Sequence, residues 1–377
     1  MSSGGRVSIM LLSSGQQQLL GRLPQPRAAV GAAAPNARRR CRGAARFGAA
    51  AQPPAIARAA APAAAASPSA TAAAAAVAAD RPTSPPTCEL SGVLHTPHPS
   101  KFVDNNTSFV EEFRIRGNEC GPDQRANIIT IANLLQEVGG NHGVALWGRA
   151  DSGFASMPGM DHLIFVATRI QIRMESYPKW GDLVRLETYF AEDGRLTTRR
   201  DWHITDARTG GYLGAATSTW VTINAETRKL AKLPEEVRAR WLHLAPTPPR
   251  LVLPAPDTRR KLQEFPAAPA LEGPVVSARR SDVDPNGHIN NVCYLSWALE
   301  AVPEAVYGSH HLREVEMDFK AECHAGDTVQ VLGHPLPQPP PASGGRQQQQ
   351  FLHLLRKPQA EGGTEVWRAR TTWVPKA

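Results

Sequence analysis

The segment Asp284–Val292, DPNGHINNV, places an acid, an amide and an imidazole at alternate positions: Asp284, Asn286 and His288. Such groups can orient water, stabilise a developing negative charge and move protons. Asp, Asn and Gly are also the residues that a helix N-terminus favours, because they satisfy or tolerate its unpaired N–H groups. The segment therefore has two interpretations, a helix cap and a reaction centre.

Two stretches that could position this segment look like copies of one strand–turn–strand unit. RIQIRMESYPKWGDLVRL begins at Arg169 and EVEMDFKAECHAGDTVQV begins at Glu314, with a constant offset of 145 residues. Apolar and polar residues alternate in both, which is typical of a half-buried strand. A Gly-Asp pair, at 181–182 and at 326–327, predicts a turn before the next strand.

Each copy is preceded by a predicted helix with one apolar stripe. The stripes share a spacing of 3, 4 and 3 residues and consist of Ile128, Ile131, Leu135 and Val138, and of Val292, Leu295, Leu299 and Val302. Such a stripe is typical of a helix that lies on a sheet. Wrapping a curved antiparallel sheet around each helix is the simplest packing, so the sequence predicts an α+β tandem, or double, hotdog fold.

The two copies differ in reactive residues. Glu322 and Cys323 of the second copy align with Tyr177 and Pro178 of the first, and the first helix begins DQRANIIT, without a histidine to match His288. This asymmetry favours a reaction centre in the second copy. Unpaired backbone N–H groups near Ile289–Asn291, at the start of the second helix, are predicted to favour an anion.

Residues 106–377 resemble the acyl-ACP thioesterases of plant and algal plastids. The resemblance is carried by VATRIQIRMESYPKWGD, RRDWHITDARTG, LPEEVR and above all RRSDVDPNGHINNVCYLSWALEAVPE, which is similar to the catalytic block of that family. It implies hydrolysis of the thioester between a fatty acyl chain and acyl carrier protein, which releases the fatty acid and ends chain extension. It also implies that acyl carrier protein is the partner, leaves room for a homodimer, and requires no cofactor or metal.

The resemblance also implies a set of site residues. The catalytic set is Asp284, Asn286, His288, Glu322 and Cys323, and the acyl-chain pocket is Ile131, Leu135, Ile170, Ile172 and Met174. Two mechanisms fit the catalytic set. Cys323 is the nucleophile in one, as in a papain-like triad. Glu322 is a general base for water in the other, which an apolar acyl tunnel would assist by raising its pKa; we favour the water route.

Composition divides the chain into segments. We predict a transit peptide at 1–80, a linker at 81–105, the first hotdog at 106–243, a proline-rich linker at 244–273, and the second, catalytic hotdog at 274–377 with a low-complexity loop at 335–350. The leader has nine arginines, no lysine and no acid before Asp80, which is typical of an organellar transit peptide, although a disordered tail without function is the alternative. We therefore expect localisation in the chloroplast stroma and a disordered leader.

The remaining composition argues against several classes of protein. The net charge of the chain is +8. Removing the nine arginines of the leader leaves residues 80–377 with a net charge of −1, so nucleic-acid binding is not expected. No stretch is long and apolar enough to predict a transmembrane helix. The five cysteines lack a C-x-x-C pair, which argues against a zinc site or a disulfide framework, and His324 is expected to be a solvated loop residue without other ligands nearby.

Two other functions remain open at this stage. A hydratase of double-hotdog type would also place Asp and His near a helix start, but it needs no acid on the opposite strand. An acyl-binding module without catalysis would tolerate the loss of Asn286, His288 and Glu322. The basic pairs Arg199-Arg200 and Arg279-Arg280 either guide an acidic carrier protein or are solvated charges.

Overall fold

The computed structural model describes residues 10–12, 100–147, 159–160, 162–194, 196–285, 287–337, 347–358 and 363–376. The strands are β1 Met10–Leu12, β2 Lys101–Val103, β3 Ser108–Arg114, β4 Leu163–Met174, β5 Leu183–Glu192, β6 Thr197–Asp206, β7 Tyr212–Asn224, β8 Leu230–Ala231, β9 Leu271–Ser277, β10 His310–Phe319, β11 Thr328–Pro335, β12 Gln349–Lys357 and β13 Thr364–Pro375. The helices are α1 Ile128–Trp147, α2 Glu235–His243, α3 Ala255–Arg259, α4 Asn291–Leu299 and α5 Glu304–Ser309.

The strands form one continuous antiparallel sheet with two matching halves. Its order is β2-β3-β5-β6-β7-β4-β10-β13-β12-β11-β9, with β1 and β8 attached to β4 and β7. The halves join where β10 pairs antiparallel with β4, from Glu314 opposite Arg173 to Asp318 opposite Arg169. Helix α1 packs on β3 and β5, and α4 packs on β11 and β12. This confirms the predicted double hotdog.

The two predicted hairpin turns also have the same construction. Gly181 and Gly326 adopt φ of +88° and +92°, a left-handed conformation that glycine tolerates without a steric penalty. The carboxylate of Asp182 accepts a hydrogen bond from the Lys179 N–H at 2.7 Å, and that of Asp327 accepts one from the His324 N–H at 2.9 Å. The internal repeat thus extends from the hydrophobic pattern to individual hydrogen bonds.

The second helix is shorter than its apolar stripe predicts. Helix α1 spans 20 residues, but α4 spans only nine, and Val302 lies beyond its end. Pro303 explains the break, because proline lacks an N–H and disfavours helical backbone in the residue before it. Pro303 itself occupies the N-cap position of the separate helix α5.

The proline-rich segment 244–273 packs against the outer face of the sheet. The Arg199 guanidinium donates to the Leu253 carbonyl at 2.9 Å, and the Val252 N–H donates to the Asp201 carboxylate at 3.0 Å. Arg199 and Asp201 also form an ion pair at 2.6 Å with almost no exposure. The expectation that Arg199 is a solvated or docking residue is therefore wrong, because this segment covers it.

Arg200 is also buried, on the inner face of the same strand. Its guanidinium lies 2.9 Å from Nδ1 of His142 and donates to Thr188 Oγ1 at 3.2 Å. It also lies over the Phe190 ring, 4.4 Å from the centroid. Burial lowers the pKa of Arg200 to about 9. The pair Arg199-Arg200 therefore does not face a partner, whereas Arg279 and Arg280 are exposed.

Most of the leader lies outside the described residues, as does the middle of the low-complexity loop. Met10–Leu12 pairs antiparallel with Phe165–Ala167 of β4. Strands β11 and β12 stay in register as far as Pro335 opposite Phe351, so the inserted loop leaves their pairing intact. None of the helices that the structure describes combines the length and hydropathy needed to span a membrane.

Candidate active site

The segment after Val283 forms a tight loop that presents His288. An antiparallel bridge between Val283 and Ile289 closes the loop. Within it, the Asp284 N–H donates to the His288 carbonyl at 2.7 Å, and the Gly287 N–H donates to the Asp284 carbonyl at 2.9 Å. The Asp284 carboxylate accepts from the His288 N–H at 3.2 Å, so this acid helps to fix the loop. Asn286 lies outside the described residues.

The same segment also begins a helix, which confirms the capping interpretation for Asn290. Helix α4 begins at Asn291, and Asn290 Oδ1 accepts the Val292 N–H at 2.9 Å. The predicted anion-binding amides are otherwise engaged: the Ile289 N–H donates to the Cys323 carbonyl and the Asn290 N–H to the Asp282 carbonyl. The prediction of unpaired N–H groups at these two residues is wrong.

The side chains of His288 and Glu322 lie close together. Nε2 of His288 lies 3.5 Å from Oε2 of Glu322, and their side chains are only 13% and 15% exposed. The other oxygen of Glu322 contacts the Arg228 guanidinium, which comes from the first copy. The environment of Glu322 is therefore an arginine and a histidine, whereas an apolar tunnel was expected.

Cys323 lies beside Glu322 in sequence but faces the hydrophobic core. It is fully buried, and burial raises the pKa of its thiol. Its N–H donates to Tyr294 Oη at 2.9 Å. In the part of the chain that the structure describes, its thiol has no hydrogen bond to His288, and the buried Nδ1 of His288 has no hydrogen-bond partner. The geometry thus lacks the thiol–imidazole contact that a cysteine nucleophile needs.

The first copy has the same loop with different chemistry. Cys120 and Ala126 form the matching bridge, and the Ala126 N–H donates to the Pro178 carbonyl at 2.8 Å. Arg125 stands at the position of His288, and its guanidinium donates to the Tyr177 carbonyl at 2.8 Å. The repeat therefore supplies one scaffold twice and an imidazole–carboxylate pair at one of the two loops.

His324 adds a third polar group beside this pair. The ligand atoms of His288, Glu322 and His324 all lie within 4.8 Å of one another, so these side chains could hold a metal ion. The expectation that His324 has no potential ligand nearby is wrong. Arg228 nonetheless opposes a second cation at this position, because its guanidinium already contacts the Glu322 carboxylate.

The predicted acyl-chain residues share one hydrophobic cluster under α1. Ile131, Leu135, Ile172 and Met174 are almost fully buried, and Ile170 packs against them. The cluster continues to Trp202 on β6.

Arg228 is the site residue that the sequence analysis missed. It belongs to the turn between β7 and β8 of the first copy, far in sequence from Glu322. No spacing or motif in the sequence marks it, because its contact with Glu322 arises from the packing of the two copies.

Comparison with known proteins agrees with this description. The family model of the acyl-ACP thioesterase N-terminal domain matches residues 106–241, and that of the C-terminal domain matches residues 273–375. The chloroplastic oleoyl-acyl carrier protein thioesterase 1 of Arabidopsis thaliana is 38% identical over 290 residues, which cover 73% of this chain and 78% of that protein. The chloroplastic palmitoyl-acyl carrier protein thioesterase of Cuphea hookeriana is 37% identical over 280 residues, which cover 73% and 64%.

A solved structure extends the comparison to the fold. The 12:0-ACP thioesterase from Umbellularia californica aligns with a TM-score of 0.63 and 32% identity, covering 72% of this chain and 95% of that one. The fold and the site together define a double-hotdog protein with a histidine–carboxylate pair in its second copy. Matches to both domain models and to these relatives show the family: the chain belongs to the acyl-ACP thioesterases.

Proposed function

We propose that this protein hydrolyses fatty acyl-ACP, releasing a free fatty acid and acyl carrier protein. The observation that carries the proposal is the 3.5 Å approach of His288 to Glu322, in the one copy that holds both residues. Family membership specifies the substrate class, because both relatives compared above are named as acyl carrier protein thioesterases. The hydratase alternative is not favoured, since it leaves Glu322 without a role.

The reaction proceeds by attack of water. The Glu322 carboxylate takes a proton from water, the oxygen of which bonds to the thioester carbonyl carbon. His288 and the loop that carries Asn286 hold the carbonyl oxygen while negative charge develops on it. The carbon–sulfur bond then breaks, and the departing thiolate of the carrier's prosthetic group takes the proton back from Glu322. The products are a fatty acid and a thiol.

The state of Cys323 supports water over a cysteine nucleophile. Only a thiolate attacks readily, and burial that raises the pKa of Cys323 keeps it in the thiol form. Its N–H bond to Tyr294 instead fixes the backbone beside Glu322. Cys323 therefore acts as a support for the general base.

The first copy holds the acyl chain. The cluster around Ile131 and Ile172 offers an apolar surface between helix and sheet, and the contact of Arg228 with Glu322 brings the first copy to the catalytic residues. Exposed Arg279 and Arg280 lie next to the site loop and would meet an acidic carrier protein favourably. The relatives carry chloroplastic names, so the protein belongs to the plastid, and we place it in the stroma.

A product assay tests the function directly. Purified protein is incubated with acyl-ACP of several chain lengths, and both thiol release and acyl products are followed. We expect free thiol and free fatty acid in equal amounts. A β-hydroxyacyl product formed from an enoyl substrate would instead indicate a hydratase, and binding without any turnover would indicate an acyl-binding module.

A further inference from the structure

The turn that carries Arg228 has a fixed and unusual backbone. The Asn224 side chain accepts hydrogen bonds from the N–H groups of Glu226 and Thr227, at 3.1 and 2.7 Å. The Asn224 carbonyl accepts the Arg228 N–H at 2.9 Å. These bonds hold Arg228 at φ of +57°, a conformation that costs energy for a residue with a side chain and persists only where the surroundings impose it.

The strand pairing on either side of the turn fixes its position. Ile223 pairs with Leu230, and Ile223 is almost fully buried in the core. The turn therefore projects from a rigid hairpin, and the Arg228 side chain begins from a defined point. A long side chain anchored in this way loses less freedom when it makes an ordered contact.

Arg228 contacts one oxygen of Glu322 while His288 lies near the other. The guanidinium meets Oε1, and His288 Nε2 lies 3.5 Å from Oε2. The neighbouring titratable side chain is His324, whose ring centroid is 5.3 Å from that of His288. A carboxylate held at one oxygen by a guanidinium can rotate less, so its second oxygen stays directed toward the imidazole.

We propose that Arg228 is a positioning residue, by which the first copy orients the general base of the second. The proposal rests on the proposed role of Glu322. Arg228 does not touch substrate in this scheme: it restrains the carboxylate so that the attacking water is held in one geometry. The catalytic centre is then complete only when the Arg228 turn of the first copy contacts Glu322 of the second.

The alternative role for an exposed arginine is docking of the acidic carrier protein, and two substrates separate the roles. Turnover is measured for Arg228→Gln, Arg228→Lys and the control Lys229→Gln, with acyl-ACP and with an acyl-pantetheine that lacks both carrier and phosphate. Lys229 is exposed in the same turn, so its variant removes an equal charge. Thermal melting of each variant checks that the hairpin stays folded.

Positioning predicts that Arg228→Gln lowers kcat by ~10–100-fold on both substrates with little change in KM, because small misplacement of a reacting group is costly. Arg228→Lys should recover part of the loss, and Lys229→Gln should behave like the wild type. A loss confined to acyl-ACP and expressed as a higher KM would show docking and overturn the proposal.

A double variant tests whether Arg228 acts through Glu322. In a Glu322→Gln background, Arg228→Gln should change kcat by less than about twofold, because the two substitutions then remove one interaction. Full additivity would refute the positioning role even if the single variant is slow. A fully active Glu322→Gln single variant would instead reject the proposed mechanism, and an inactive wild type would reject the proposed function.

Discussion

Burial of His142 should make the stability of the folded protein depend on pH. Its ring stacks between Phe109 and Phe190, with centroids 5.3 and 4.9 Å away. Burial, and then the charge of Arg200, lower the pKa of His142 to about 2. Burial likewise lowers the pKa of His353 to about 4. Both imidazoles are therefore neutral in the folded protein over a range in which the unfolded chain protonates them.

The sign of the effect follows from proton binding. Above about pH 6.5, the ordinary pKa of histidine, neither state is protonated at these rings and stability is unaffected. Below it the unfolded state gains protons that the folded state does not, so each ring costs about 1.4 kcal/mol of unfolding free energy per pH unit. For His353 the loss levels off near pH 4, and for His142 it continues toward pH 2.

Chemical denaturation between pH 7 and 4.5 measures how steeply the free energy of unfolding changes with pH. His142→Gln keeps an acceptor for Arg200 but does not titrate, so this slope should be smaller by the contribution of about one proton. His243→Gln, at an exposed position on α2, is the matched control and should keep the slope of the wild type. Equal slopes in all three proteins would mean that folding does not lower the pKa of His142.

The buried apolar residues of helix α1 and strand β4 carry a prediction about substrate choice. If Ile131 and Ile172 line the acyl pocket, a change of either to Phe should shift the chain-length profile toward shorter chains, because the pocket loses depth. Turnover on the best substrate should stay within about tenfold, because the substitution changes the fit of the acyl chain and leaves His288 and Glu322 in place.

A substitution in the second copy provides the control. Leu295→Phe on α4 enlarges a residue that is as deeply buried as Ile131 and matches it in the repeat. It should alter stability or rate without moving the chain-length profile. A shift with Leu295→Phe and none with the first-copy variants would place the acyl chain in the second copy.

The elements of the fold were predictable where local pattern decides them. The alternation from Ile170 to Met174 and the stripe on α1 each require one face of an element to be buried, and both elements form as predicted. The length of α4 was overestimated because its apolar stripe continues to Val302, whereas the helix ends at Leu299, ahead of Pro303.

The candidate site was predictable only in the parts that lie on the repeat. His288 and Glu322 stand at positions where the first copy has Arg125 and Tyr177, so comparison of the copies exposes them. Arg228 lies on a turn, and its role depends on how the two copies pack. The burial of Arg199 depends in the same way on coverage by a distant segment, which no local pattern encodes.

For the whole molecule, the division into leader and enzyme makes a prediction about truncation. A protein without about the first 80 residues loses the β1 pairing with Phe165–Ala167, but β4 remains paired with β7 along its whole length. We expect this protein to fold with an unchanged melting temperature and to hydrolyse acyl-ACP at the rate of the full chain. An inactive or unfolded truncated protein would show that the leader belongs to the enzyme.

Comparing the turnover of Glu322→Gln with that of Cys323→Ala identifies the group that activates the attack on the thioester. We predict that Glu322→Gln loses ~10²–10⁴-fold in kcat, because it keeps the shape of the side chain without the base. Cys323→Ala should lose much less, and rapidly quenched wild-type enzyme should show no added acyl mass. A Cys323→Ala variant without activity, together with an acyl adduct on Cys323 in the wild type, would show that the thiol is the nucleophile and that Glu322 is not the general base.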